Sequence, residues 1–242
     1  MYLICCPNVY AKQMVDNLAE IGVEGVPLNI LDLSFDLDRL NFIKEQIDAF
    51  DYVLVSSPAA IDFLAPAIVA ATTTTFITVG TASANKIKSY NANINVIHPE
   101  EGSGKEALFV EKLRYLDLSH KKILVIVSDG ENSILPPNIN EHNATIVEVY
   151  KRKLLELDPV ELEQHLHSEK LRGIVITSSG MADWLFEEAA KINCVGALKD
   201  SLFIVLHPQI EKHLLTLGSG RILVTESTDR SSVAKLIRNL YG

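Results

Sequence analysis

Short apolar runs alternate with stretches of helical periodicity from one end of the chain to the other. Leu3–Cys6, Pro27–Leu31, Tyr52–Ser56, Phe76–Val79, Asn95–Ile97, Ile123–Val127, Thr145–Tyr150, Gly173–Thr177, Leu202–Leu206 and Arg221–Val224 are the predicted strands. Most are apolar on both faces, as strands of a parallel sheet covered by helices must be. Helix starts are marked by Asp158-Pro159, a capping carboxylate before a first-turn proline, and by Ser103 with Glu106 at capping-box spacing. Gly218 and Gly220 interrupt the pattern after the helix around Glu211 to Leu217. Strands interleaved with helices in this way predict βα repeats with right-handed crossovers, and two sheets of about five strands accommodate them better than one wide sheet.

One segment occurs twice. Tyr52-Val53-Leu54-Val55-Ser56-Ser57-Pro58 and Gly173-Ile174-Val175-Ile176-Thr177-Ser178-Ser179 are each an apolar strand ending in hydroxyls. A helical stretch follows each, Ala59 to Leu64 and Gly180 to Leu185, then another apolar run. Each copy also reaches a hydroxyl-and-charge loop, Glu101-Gly102-Ser103-Gly104 or Glu226-Ser227-Thr228-Asp229, before a closing amphipathic stretch. Two similar α/β units that present hydroxyls and free backbone N–H groups at strand-to-helix turns predict a ligand held between two lobes. Extended apolar–polar stretches at Pro27–Leu33 and Val147–Leu154 are candidate crossings between them, with no Gly/Ser linker anywhere.

Composition narrows the ligand. With 242 residues, 48% apolar and 22% charged, the chain has the make-up of a globular domain or two. A formal charge of −9 argues against nucleic acid and gives no support to an anionic membrane surface. A small anion remains compatible, since helix N-termini hold one regardless of net charge. Ala59 to Ala71, interrupted by Asp62 and Pro66, is too short to span a bilayer. No basic region followed by an apolar core and cleavage site opens the chain, so the cytoplasm is the expected compartment. Three cysteines, Cys5 and Cys6 adjacent, make neither a disulfide framework nor a metal site, and the expectation is that no metal is bound.

No phosphate-binding glycine loop, nucleophile elbow or metal-spaced histidine pair is present. His165 and His167 lie two apart on a predicted surface helix and read as solvated, while His98 ends a strand. His207, before Pro208 at a strand-to-helix turn, is the one candidate ligand contact among the histidines, weighed against a turn-satisfying role. The hydroxyl turns Ser56-Ser57, Thr81-Ala82-Ser83, Ser103 and Thr177-Ser178-Ser179 fall at strand ends or helix starts. Each alone reads as an N-cap; together they suit anionic groups. Gly80 either lets backbone approach a ligand or simply makes a tight turn. Tyr150, ahead of Lys151-Arg152-Lys153, is either a strand tyrosine beside a solvated basic stretch or a phenol at a crossing in a positive field.

At these residues the chain resembles the uroporphyrinogen-III synthase family over nearly its whole length. The resemblance runs through Ser56-Ser57-Pro58-Ala59-Ala60-Ile61, Val79-Gly80-Thr81-Ala82-Ser83-Ala84, His98-Pro99 with Ser103, the Lys121–Val127 strand, Glu148-Val149-Tyr150-Lys151-Arg152 and Thr177-Ser178-Ser179. It implies an α/β fold of two similar doubly wound parallel-sheet lobes joined by a two-stranded ladder. Residues 1–32 plus 153–242 would form one lobe and 33–152 the other. It implies a monomeric, cofactor-free hydro-lyase of heme and other tetrapyrrole biosynthesis that closes hydroxymethylbilane into a macrocycle with inversion of the last pyrrole ring and loss of water. Its partners would be the linear tetrapyrrole and, transiently, the preceding enzyme of the pathway. Tyr150 matches the family's cleft tyrosine and Ser83 its cleft hydroxyl. With them, Ser57, Gly80, Thr81, Ser103, Thr177, Ser178, Ser179 and His207 make up the expected substrate site. Three features depart from the family. Cys5-Cys6-Pro7 replaces a Thr-Arg-Pro-like triplet, Ser128-Asp129-Gly130-Glu131 replaces an Arg-Gly segment, and His207-Pro208 replaces a Gly–Thr turn. The missing cations suit a competing reading, a non-catalytic two-lobed binding protein for a small anion or an inactive family member. A response-regulator domain would need an acidic cluster after the first strand, which Cys5-Cys6-Pro7-Asn8 does not supply.

Overall fold

The structure is a computed structural model that describes residues 1–100, 112–129, 143–227 and 229–241. Its strands are β1 Tyr2–Pro7, β2 Gly25–Phe35, β3 Tyr52–Val55, β4 Thr75–Ile77, β5 Asn95–Ile97, β6 Lys122–Ser128, β7 Asn143–Leu154, β8 Gly173–Ile176, β9 Phe203–Val205 and β10 Ile222–Val224. The helices are α1 Asn8–Ala19, α2 Leu37–Gln46, α3 Pro58–Phe63, α4 Ala65–Ala70 and α5 Thr81–Tyr90, then α6 Pro159–Leu166, α7 Ser179–Lys191, α8 Val195–Asp200, α9 Pro208–Thr216 and α10 Ser231–Tyr241. Each apolar run therefore forms a strand. The largest differences are in β2 and β7, which extend well past the runs that predicted them. The residues added at the end of β7, Lys151 to Leu154, are exposed, and those added to β2 are mostly half-buried, so neither extension is a continuous apolar run.

The chain divides into two compact units, Met1–Leu33 with Lys153–Gly242, and Ser34–Arg152. In the first, the order β10-β9-β8-β1-β2 is parallel throughout, with Leu3 opposite Ile174 and Ile174 opposite Phe203. Leu3, Ile30, Ile174, Leu185, Leu198, Phe203 and Leu214 are among the fully buried residues of its core. Gly173 starts β8 against the neighbouring chain: a Cβ there would lie 2.8 Å from the Tyr2 ring and 3.0 Å from the Leu202 carbonyl oxygen. In the second unit, β7-β6-β3-β4-β5 is likewise parallel, around Leu54, Ile77, Ile123, Val125 and Val127. Parallel strands put all carboxyl ends of a unit on one edge, where a βα unit places its turns.

The hydrogen-bonded order is one series of ten strands, β10-β9-β8-β1-β2-β7-β6-β3-β4-β5, in place of the two separate sheets that strand number led us to expect.

Helix starts follow the local rules. The Asp158 carboxylate accepts the N–H groups of Val160 and Glu161 at 2.8 and 3.2 Å ahead of α6, with Pro159 in the first turn. The Ser103 and Glu106 capping box lies outside the described residues. In the second unit Asp48 ties down the turn into β4, accepting the Thr72 hydroxyl at 2.6 Å and the N–H groups of Thr72, Thr73 and Thr74. Burial works to raise its pKa, but these four donors together hold it far below the usual carboxylate range. A lowered folded pKa contributes stability that is full above the unfolded value of about 3.9 and is lost as pH falls further. Asp48 is exposed and solvent screens part of this gain, so Asp48→Ala should cost about 1 kcal/mol at neutral pH and progressively less below about pH 4. Denaturant melts across that pH range check this; a deficit that stays constant with pH contradicts it.

Candidate active site

The carboxyl edge of the second unit carries five of the ten expected residues, Ser57, Gly80, Thr81, Ser83 and Tyr150. Val55 ends β3, Ser56 and Ser57 follow, and Ser57 caps α3 by accepting the Ala60 N–H at 3.4 Å. On β4 the strand runs out through Thr78 and Val79 to Gly80, which occupies the N-cap of α5 in an extended conformation. Thr81 is the exposed first residue of α5, whereas Ser83 is buried. Tyr150, on β7, is 5% exposed, and its phenol oxygen lies 2.9 Å from Ser57 Oγ. These residues stand 93 apart in sequence; the order β7-β6-β3 joins them.

Tyr150 is aimed by a local irregularity. On β6 and β7 the register goes from Val127 opposite Glu148 to Ser128 opposite Tyr150, so Val149 is an extra residue. Val149 and Tyr150 are consequently both buried, breaking the alternation of a regular strand. The Asp129 N–H donates to the Tyr150 carbonyl at 3.0 Å, and Asp129 Oδ1 accepts the Arg152 N–H at 2.9 Å, which fixes the bulge. The phenol ring packs on Phe35 at 5.4 Å, and Phe35 stacks on Phe63 at 4.8 Å. Neither phenylalanine was singled out from the sequence, since an aromatic in an apolar run carries no mark of what it touches. Thr78 is a further missed hydroxyl: it is fully buried at the end of β4, and its Oγ1 has no hydrogen-bond partner among the described residues.

The corresponding edge of the first unit holds the other candidates. Ser178 caps α7, accepting the Met181 N–H at 3.4 Å, and Ser179 opens the helix. Thr177 turns inward, its hydroxyl donating to the Cys5 carbonyl and to the Met181 sulfur, each at 3.4 Å. His207 caps α9, its Nδ1 accepting the Gln209 N–H at 3.1 Å, which is the turn role weighed above. Ser103 lies outside the described residues. A register shift also occurs here, between Cys5 and Pro7 on β1.

One cation at this edge escaped the sequence reading. The Arg230 guanidinium sits 3.3 Å from the centre of the Tyr10 ring, just ahead of α10, one residue beyond the loop recognised in the duplication. Burial pushes the neighbouring Cys6 thiol up to about 12, against the opposing pull of Arg230, and drives Cys5 higher still. Both are protonated packing groups, as their strand position predicts. A recess of about 600 Å³ in the same unit, lined by Tyr2, Val23, Glu24, Arg172 and Arg238 among others, lies at the amino ends of the strands. It is at the opposite end of the strands from the hydroxyl turns of that unit.

Buried donors and a capped helix start can polarise a leaving hydroxyl and orient anions; among the described residues named at these edges there is no paired acid and base and no nucleophile poised on a base. The family model for uroporphyrinogen-III synthase HemD matches residues 12–235. Among solved structures, a mutant uroporphyrinogen III synthase from the extremely thermophilic bacterium Thermus thermophilus superposes with a TM-score of 0.57. It is 13% identical, over 99% of this chain and 98% of that one, which shows a shared fold. The uroporphyrinogen-III synthetase of Helicobacter pylori gives a TM-score of 0.47 at 13% identity, over 88% of this chain and 92% of that one.

Proposed function

The chain belongs to the uroporphyrinogen-III synthase family, whose model it matches over residues 12–235, and from that premise we propose that it closes hydroxymethylbilane to uroporphyrinogen III through a site centred on Tyr150 and Ser57. As in its family, the chain is a lyase of porphyrin and heme biosynthesis. The observation that carries the site assignment is the 2.9 Å contact between Ser57 Oγ and the Tyr150 phenol at a carboxyl edge.

The chemistry suits such a sparse site. A hydroxymethylpyrrole ionises with the help of its own nitrogen lone pair, expelling hydroxide and leaving an azafulvene. The protein has two tasks: to assist that departure and to hold the chain so that attack passes through a spiro intermediate before the last ring inverts. Holding the reacting carbons together supplies about 7–11 kcal/mol of the barrier without an indispensable acid or base. Tyr150 Oη gives its proton to the departing hydroxide, directly or through Ser57, so that water leaves, and the phenolate recovers a proton when the pyrrole carbon that closes the ring loses its own. The ring stack Phe35–Phe63 limits the motion of the phenol. The substrate's carboxylates are met by first-turn N–H groups at α3, α5 and α7, since Ser57 and Ser178 each satisfy one donor and leave others, and Gly80 at α5 satisfies none through a side chain. Gly80, Thr81 and Ser83 line the α5 side of the site. Thr177, Ser178, Ser179 and His207 form the second wall, where Arg230 contributes a cation.

In this reading the two units are lobes with the bilane between them, joined by β2 and β7 as a ladder. Two backbone bonds support the ladder: Asp36 N–H donates to the Val149 carbonyl and Leu155 N–H to the Ile30 carbonyl, each at 3.1 Å. Six residues back along β2 correspond to six forward along β7, as antiparallel pairing requires. Because the free bilane also cyclises unaided to the type I isomer, transient contact with the enzyme that supplies it would limit that loss. Among the described residues, no helix is long and apolar enough to cross a membrane.

Incubation with freshly prepared hydroxymethylbilane, oxidation and separation of the uroporphyrin isomers tests the proposal. Type III in excess of the spontaneous type I product is expected. Type I alone would leave a non-catalytic binding protein as the reading.

A further inference from the structure

Three donors that lie apart in sequence converge in the first unit, away from the carboxyl edge. Glu163 on α6 and His167, the residue that caps its C-terminus, are one turn apart, beside the buried Leu162 and Leu166. Cys194 follows α7, and its Sγ lies 3.5 Å from His167 Nε2. One ligand atom from each of the three residues falls within 4.8 Å of the other two.

The backbone places the thiol firmly. Helix α7 ends with Asn193 in the left-handed region at φ 58°, the Cys194 N–H donating to the Ala189 carbonyl at 2.8 Å and the Asn193 N–H to the Ala190 carbonyl at 3.3 Å. That is a Schellman stop with asparagine in the glycine position, and it turns Cys194 back toward α6. Cys194 is 4% exposed, while Glu163 and His167 are exposed and free to adjust.

We propose that Glu163, His167 and Cys194 form a binding site for Zn²⁺, with a water in the fourth position. For Zn–S of about 2.3 Å and Zn–N of about 2.05 Å, a tetrahedral angle separates the two ligand atoms by about 3.6 Å. The sulfur–nitrogen distance of 3.5 Å already matches this. A thiolate, an imidazole and a carboxylate suit Zn²⁺ and disfavour Ca²⁺ or Mg²⁺, which take oxygen ligands. On binding, the Cys194 thiol gives its proton to solvent and its sulfur lone pair to the metal; no electron is transferred. The expectation that the cysteines hold no metal considered their spacing with one another, whereas the proposed site pairs a single cysteine with a histidine from beside another helix. Helix α6 leads into β8 and α7 returns from it, so the site lies at the amino edge of the strands, opposite the hydroxyl turns. It joins α6 to the end of α7 and takes no part in ring closure.

Titration of the metal-stripped full chain with Co²⁺, a spectroscopic substitute for Zn²⁺, tests the site. One equivalent should bring up a thiolate-to-cobalt charge-transfer band that Zn²⁺ then abolishes. Cys194→Ser should eliminate the band. His167→Gln, at an exposed position that leaves the core untouched, should weaken binding at least about tenfold. His165→Gln is the control: His165 pairs with Glu161 at 3.4 Å on the same helix and should leave affinity unchanged. Zn²⁺ at a hundredfold excess over Kd should raise Tm by roughly 5–10 °C. Absence of the band, its survival in Cys194→Ser, or equal losses in the two histidine variants overturns the proposal.

Discussion

Tyr150→Phe should slow formation of the type III isomer about 100-fold while leaving the fold and bilane binding nearly unchanged. A positioned proton donor contributes about 10²–10⁴-fold, and the low end applies because the substrate expels its hydroxyl largely unaided. The phenylalanine keeps the ring contacts with Phe35 at 5.4 Å and so preserves the aromatic stack. What it removes is the oxygen 2.9 Å from Ser57 Oγ. That loss should cost about 1 kcal/mol of stability, too little to unfold the chain. Ser57→Ala should have a smaller effect on rate, and the double variant should be little slower than Tyr150→Phe alone, since the two hydroxyls act as one unit. The assay must score the isomer ratio with the rate, because a slower enzyme releases more substrate to spontaneous closure. A well-folded Tyr150→Phe protein with unchanged rate and ratio removes Tyr150 from the chemistry and leaves positioning to explain catalysis.

The features legible in the sequence are those written locally. The apolar runs at Tyr52–Val55 and Gly173–Ile176 could only be buried strands, and Asp158-Pro159 and Ser178 mark helix starts by chemistry that spans three residues. Tyr150 and Ser83 came forward through the family resemblance, and capping explains Ser57, Ser178 and His207 without any ligand. What the sequence withheld depends on strand order and register. Periodicity does not say that β7 lies beside β6 and β6 beside β3, so the approach of Tyr150 to Ser57 was invisible. The bulge at Val149 leaves no trace in a run that reads as regular alternation. For the same reason Cys194 looked solitary, since its partner His167 is supplied by a different helix. The basic stretch after Tyr150 is exposed, as its charges suggested, and lies within β7, which continues to Leu154.

The largest effect on stability is expected from Phe203→Ala. Phe203 is fully buried in β9, with β8 on one side and β10 on the other. Its ring stacks on Phe186 of α7 at 6.2 Å, within the cluster that includes Ile174, Leu185 and Leu198. Truncating such a residue removes its transfer free energy and leaves a cavity, together about 3–5 kcal/mol. The site cannot collapse to recover much of this. Its strand is pinned in parallel register, Ile174 opposite Phe203, and Gly173 is packed so tightly on Tyr2 and Leu202 that the start of β8 has no room to shift. If the first unit melts as a cooperative body of its own, its transition should fall by roughly 12–20 °C, near 4 °C per kcal/mol for a body of this size. The transition of the second unit should hardly move, and the exposed Leu215→Ala should change stability by no more than about 0.5 kcal/mol. Calorimetry resolves the two cases. A single transition lowered as a whole means that the units unfold together, and a shift of only a degree or two means that the core around β9 is far more plastic than its packing implies.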